Sequence, residues 1–210
     1  PAKKVKERSE EAVKVWVSQR WLELKKSPRN DGLARISGRK RGFPATFSET
    51  DMGAEGGNPV IIHSYNWKKI SICAAIAYRW DGKRTRLYFQ MRAGSYAMET
   101  LISFLKELKK HFRRQYVILI WDGLPAHKSL KMKEYLQKQQ EWLRVERLPG
   151  YSPDLNPVES LWGNIKGKEL ANQSADDLSE VAAGVNAGFA RILGQRELLI
   201  GFLNHCGLFF

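Results

Sequence analysis

The chain has 210 residues, with 35 Lys+Arg against 22 Asp+Glu, a net charge of +13 and a pI near 9.8. That length allows one domain with a real core plus a short extension, and the charge favours a polyanionic partner through phosphate neutralisation and counterion release. A charged start and the lack of any apolar run near the ~18 residues of a span argue against a leader or a membrane partner; Cys73 and Cys206, far apart, argue against a disulfide framework or a zinc site and for a reducing, cytoplasmic, nucleoid-associated setting.

Residues 3–26 read as a basic amphipathic helix, with Val13, Trp16, Val17, Trp21 and Leu24 at three- and four-residue steps, stopped by Ser27-Pro28. The stretch around Leu33-Ala-Arg-Ile-Ser-Gly-Arg-Lys-Arg-Gly-Phe43 makes a poor buried strand, because Arg39, Lys40 and Arg41 run together before Gly and Pro. Strands are expected over 70–80 and 84–92, joined at Asp81-Gly82, a strong hairpin signal. A helix over 96–112 follows, then the β-branched run Tyr116–Trp121, apolar throughout as in a strand buried on both faces. Helix 128–140, strand 142–148, helices 157–171 and 175–193 and an apolar C-terminal segment complete the order, which predicts an α/β domain with a mixed sheet. The expected organisation is a basic linker helix at 1–28, an anomalous segment at 29–59 and an α/β domain from 60 to 210.

Two acids stand where chemistry gathers in such sheets. Asp122 closes the apolar strand and precedes Gly123-Leu124-Pro125, so a sharp turn leaves its carboxylate at the carboxyl edge, able to offer oxygen to a hard cation. An Asp before Gly equally serves as a turn cap. Glu159 falls third in a helix that Asn156 caps and Pro157 opens, the place of a capping-box acid, and a cap would also hold the carboxylate still. His127 and Lys128 begin a helix and could meet a phosphate, although a surface histidine there fits as well. His63, His111 and His205 have no partner spacing, and Asp154 reads as a turn residue.

Ile120-Trp-Asp-Gly-Leu-Pro-Ala-His-Lys-Ser129 and Leu148-Pro-Gly-Tyr-Ser-Pro-Asp-Leu-Asn-Pro-Val-Glu-Ser-Leu-Trp162 resemble the last two catalytic blocks of mariner-type insertion-sequence transposases, members of the DDE/D superfamily. The resemblance runs from about residue 60 to 172. It implies an RNase H-like mixed sheet with helices on both faces. It also implies metal-dependent DNA cleavage and strand transfer, in which three carboxylates hold two Mg²⁺ (Mn²⁺ as a substitute). Asp122 would be the second carboxylate and Glu159 the third. The implied partners are transposon-end and target DNA, with a homodimer on DNA. The helix at 3–26 is similar to the segment that joins helix-turn-helix modules to the catalytic domain; this sequence contains no such modules.

The family's first acid ends the first, central strand in an apolar-x-Asp-Glu-Ser-Gly motif, which is missing here. Glu49 and Asp51 are the nearby acids; a literal reading keeps one of them as the first carboxylate, although both lack an apolar lead-in. Back-translated and read one nucleotide later, residues 34–59 can encode LVFQDESGVSLLPSVRRTWAPRGETP, with its Asp codon straddling Gly38 and Arg39. Met52-Gly53 forces a Trp in that frame, 14 positions after the Asp. The reading is a compensated frameshift over about 34–59 that disrupts the first strand and impairs activity. Its alternatives are a non-catalytic DNA-binding remnant and an RNase H-like nuclease or resolvase of another family.

Overall fold

The computed structural model describes residues 8–26, 32–43 (backbone only), 70–94, 97–112, 115–122, 129–171 and 178–210. In chain order α1 runs through the α-helical Glu10–Val15, a π-helical stretch Trp16–Arg20 and the α-helical Trp21–Lys25. Then come β1 (Gly32–Phe43), β2 (Ile70–Tyr78), β3 (Thr85–Ala93), α2 (Met98–His111), β4 (Val117–Trp121), α3 (Leu130–Gln137) and β5 (Leu143–Arg147). A 3₁₀ turn at Pro153–Leu155 leads to α4 (Pro157–Lys168), α5 (Leu178–Ile192) and α6 (Arg196–His205).

The five strands order as β3-β2-β1-β4-β5. Pairing is antiparallel for β3–β2 and β2–β1 and parallel for β1–β4 and β4–β5. The hairpin closes as its sequence asks: Arg79 N–H donates to Arg84 C=O at 2.8 Å, and Gly82 takes φ +67°, which glycine adopts without steric cost.

Strand alternation divides the core into two. Ile72, Ala74, Ile76, Ile118 and Ile120 face α1, α4, α5 and α6, whereas Cys73, Ala75, Val117, Leu119 and Trp121 face α2 and α3. Helices therefore cover both faces, as the α/β reading expects.

Residues 32–43 differ from their sequence reading, for the structure runs β1 through the middle of the sheet. Strand pairing uses backbone groups that any residue except proline supplies, so two flanking strands can organise a segment of poor composition. The irregularity lies in the ladder: β1 shifts register against β2 between Ser37 and Lys40 and again between Lys40 and Phe43, and its pairing with β4 spans only Gly32↔Val117 to Arg35↔Ile120.

Helix α1 packs Trp16, Trp21 and Leu24 into the α4–α6 core. Its π stretch lets Trp21 N–H reach back five residues to Trp16 C=O, which puts both indoles on one face, stacked with centroids 6.4 Å apart. Among the described residues no helix is long and apolar enough to cross a membrane.

Candidate active site

The parallel pair β4–β5 defines the edge where the two acids emerge. Its register runs from Val117↔Leu143 to Trp121↔Arg147 and is extended by one bond, Leu148 N–H to Trp121 C=O at 3.0 Å. Asp122, half-buried, is the next residue after β4. Ile118 and Ile120 belong to the α4 side of the core, so alternation carried two places on puts position 122 on that side.

Glu159 arrives on the same side from β5. Leu148 and Leu155 are buried anchors of the connecting loop. Leu155 N–H donates to Ser152 C=O at 3.2 Å and Asn156 N–H to Pro153 C=O at 2.9 Å, forming the 3₁₀ turn. Asn156 caps α4 as expected: its Oδ1 accepts from Val158 N–H at 3.3 Å, and its carbonyl accepts from Glu159 N–H at 2.9 Å. Pro157 occupies the first helical position. Fully buried Val158, Leu161, Trp162 and Ile165 seat the helix, leaving Glu159 half-buried on its first turn.

Electrostatics at Asp122 reach into the sheet. Burial pushes the Cys73 thiol far above its ordinary range, and the charge of Asp122 adds to that shift.

The donor set stops at two acids on described elements. β1 contains no Asp or Glu, and its parallel register, continued two residues beyond Arg35↔Ile120, sets Ser37 level with Asp122. Among the described residues no group of three or more His, Cys, Asp and Glu stands where it could hold a metal ion. Asp122 and Glu159 suit a hard divalent cation by oxygen chemistry, but they do not make up the three-acid set of a two-ion site. Glu49, Asp51, His127 and Lys128 lie outside the described residues, as do Gly123, Leu124, Pro125 and His63. His111 and His205 are exposed. Asp154, read as a turn residue, does sit in the 3₁₀ turn but also carries an ion pair with Arg8, 146 residues away, which nothing local in the sequence signals.

The sequence profile of a family described as DDE superfamily endonuclease matches residues 44–182. No curated protein matches significantly. Among solved structures, the Mos1 mariner paired end complex with Mn superposes with a TM-score of 0.67 at 19% identity, over 99% of this chain and 62% of that one. The Mos1 transposase catalytic domain with Raltegravir and Mn gives 0.60 at 20% identity, over 100% of both chains. The Mos1 catalytic domain gives 0.53 at 20%, over 95% of this chain and 92% of that one. At these identities the likeness is one of fold, the RNase H-like fold, and this chain spans about 62% of the longer relative.

Proposed function

Since the chain belongs to the DDE superfamily endonuclease family, we propose that it is the catalytic domain of a mariner-like transposase, shaped for metal-dependent cleavage and transfer of DNA strands and impaired as written. What supports this reading is that Asp122 directly follows β4 and Glu159 lies on the first turn of α4, the helix packed on the sheet face to which strand alternation assigns position 122. In this reading the pair would ligate Mg²⁺ or Mn²⁺, which in such enzymes activates the attacking oxygen and stabilises the leaving one. The chain's own part is to hold the two carboxylates on rigid elements, one at a buried strand end and one on a capped helix.

In this reading impairment would follow from the composition of β1, which has no Asp or Glu. Without an acid level with Asp122, the charge that gathers on a transferring phosphate loses one of its fixed counter-ion sites, a loss worth orders of magnitude in rate. The partner in this reading is DNA, transposon ends and target, with a dimer forming on it. Mos1 relatives are described as paired end complexes, one of them with the left transposon end, and a net charge of +13 suits phosphate neutralisation.

Single-turnover cleavage and strand-transfer assays with Mg²⁺ or Mn²⁺, beside a salt titration of DNA binding, test the proposal. The expected result is DNA binding with a steep salt slope and weak, metal-dependent nicking that Asp122→Asn and Glu159→Gln each abolish. Nicking that survives both substitutions would falsify the assignment of the site. Binding without cleavage, even after an acid is restored to β1, reduces the chain to a DNA-binding remnant.

A further inference from the structure

Arg8 stands just ahead of α1, yet its guanidinium grips both carboxylate oxygens of Asp154: Nη1 donates to Oδ1, and Nη2 donates to Oδ2 at 2.9 Å. Nη1 also reaches the Tyr151 carbonyl at 3.4 Å, and Nε donates to Glu10 at 2.9 Å. Tyr151 is the one non-glycine residue with positive φ (53°) among the described residues, a backbone state that persists only when neighbours hold it. Further along α1, Trp16 Nε1 donates to the Arg147 carbonyl at 3.1 Å, and Arg20 forms a bidentate pair with Glu146. Helix α1 is thereby fastened to the end of β5 at one point and to the 3₁₀ turn at another.

The held segment leads without slack to Glu159. From Asp154 the backbone passes through Asn156, bonded to Pro153, into Glu159, bonded to Asn156, while Leu155, Asn156 and Val158 are all buried. A shift of the 3₁₀ turn therefore shifts the first turn of α4.

We propose that Arg8 is a positioning residue for Glu159. Through Asp154 and Tyr151 it fixes the 148–156 turn, so the placement of the acid depends on the leading end of α1 being docked. This rests on the reading of Glu159 as an acid of the active site. A bidentate guanidinium fits the task, since it fixes direction as well as distance, which a lysine ammonium does not.

The test uses the full chain and its Arg8→Gln, Arg8→Lys and Asp154→Asn variants. Arg196→Gln, which breaks an arginine contact at the β2–β3 hairpin instead, is the control. Amide exchange is read by mass spectrometry over 149–159, and Mn²⁺ alone is titrated. Arg8→Gln and Asp154→Asn are expected to speed exchange at Leu155, Asn156 and Glu159 about tenfold and to weaken Mn²⁺ binding several-fold. Exchange at Val185 and Phe189 should not move, and Arg8→Lys should fall between. Exchange over 149–159 no faster than in Arg196→Gln overturns the proposal. So does Mn²⁺ affinity that stays constant while exchange rises. An exchange response in a chain that binds no Mn²⁺ before substitution overturns instead the reading of Glu159 as a metal ligand.

Discussion

The amide of Leu148 donates to the carbonyl of Trp121 at 3.0 Å, so the strand that delivers Asp122 and the loop that delivers Glu159 leave the sheet from one hydrogen-bonded point. The two chain exits are tied together by a ladder hydrogen bond rather than by loop conformation. The rest of the segment up to Glu159 is short and anchored by buried Leu155 and Asn156.

The acid missing from β1 yields the first prediction. Position 37 lies level with Asp122 by the parallel register and opposite Ala74, whose side chain belongs to the α4 side of the core. Ser37→Asp should therefore tighten Mn²⁺ binding about tenfold, or about 1.4 kcal/mol, as read by calorimetric titration. Gly38→Asp should not, because a step of one residue moves a side chain to the opposite face. The reverse ranking would put the register of β1 one residue off, at the place where the shifted nucleotide frame writes its Asp.

What the sequence made legible divides along local and non-local lines. The β2–β3 hairpin announced itself through Asp81-Gly82, β4 through Val-Ile-Leu-Ile-Trp, and α4 through Asn156-Pro157, since each signal is carried by adjacent residues. Three features did not. β1 pairs with β2 and β4 although its own composition argues against a buried strand. The π stretch of α1 hides because a five-residue step there repeats a face as a four-residue step does in an α-helix. Helix α6 was read only as an apolar segment, because a brief turn at Gly194 (φ +82°) separates it from α5. Asp122 and Glu159 were each legible as candidates. That their elements, β4 and the helix after β5, adjoin in space needed the register.

Acid sensitivity should centre on Glu169. Its carboxylate accepts from Arg191 Nε at 2.5 Å and Nη2 at 2.9 Å, and Arg191 holds its pKa below the ordinary carboxylate value. A depressed acid contributes stability that is full above its unfolded pKa and is lost as pH falls through the folded one. Denaturant midpoints should thus fall below about pH 4.3, the usual glutamate value. Glu169→Gln should lower stability at pH 7 and flatten that slope. An unchanged slope would show that other carboxylates govern it.

The π stretch predicts a tolerated deletion. Removing exposed Ser18, whose hydroxyl only donates to the Lys14 carbonyl at 2.8 Å, leaves Trp16 and Trp21 four residues apart, on one face of a regular α-helix. The shortened chain should melt close to the parent. Trp16→Ala, by contrast, empties a buried site at a cost of about 3–5 kcal/mol. Thermal denaturation of both variants decides the matter, and an equal loss in the two would mean the π turn itself carries the docking.

The contact between α4 and α5 rests on Gly188. A Cβ there would stand 2.9 Å from Glu169 Oε2 and 3.0 Å and 3.1 Å from the Ile165 side chain, closer than carbon atoms pack. Beside it Phe189 stacks on Phe89 with centroids 3.7 Å apart and meets Trp162 edge-on, so α5 has little room to retreat. Two effects compete in Gly188→Ala: a gain of about 1 kcal/mol in helix propensity and an overpacking cost of about 1–3 kcal/mol. The balance is a small loss. Gly188→Val forgoes most of the propensity gain and adds two methyls to the same gap, so it should destabilise by at least about 2 kcal/mol. It should also loosen the Arg191–Glu169 pair, visible as a shallower acid transition than the parent shows. Chemical denaturation at pH 7 and pH 4 measures both effects, and a valine variant as stable as the parent would mean that α4 and α5 are not in close contact at this glycine.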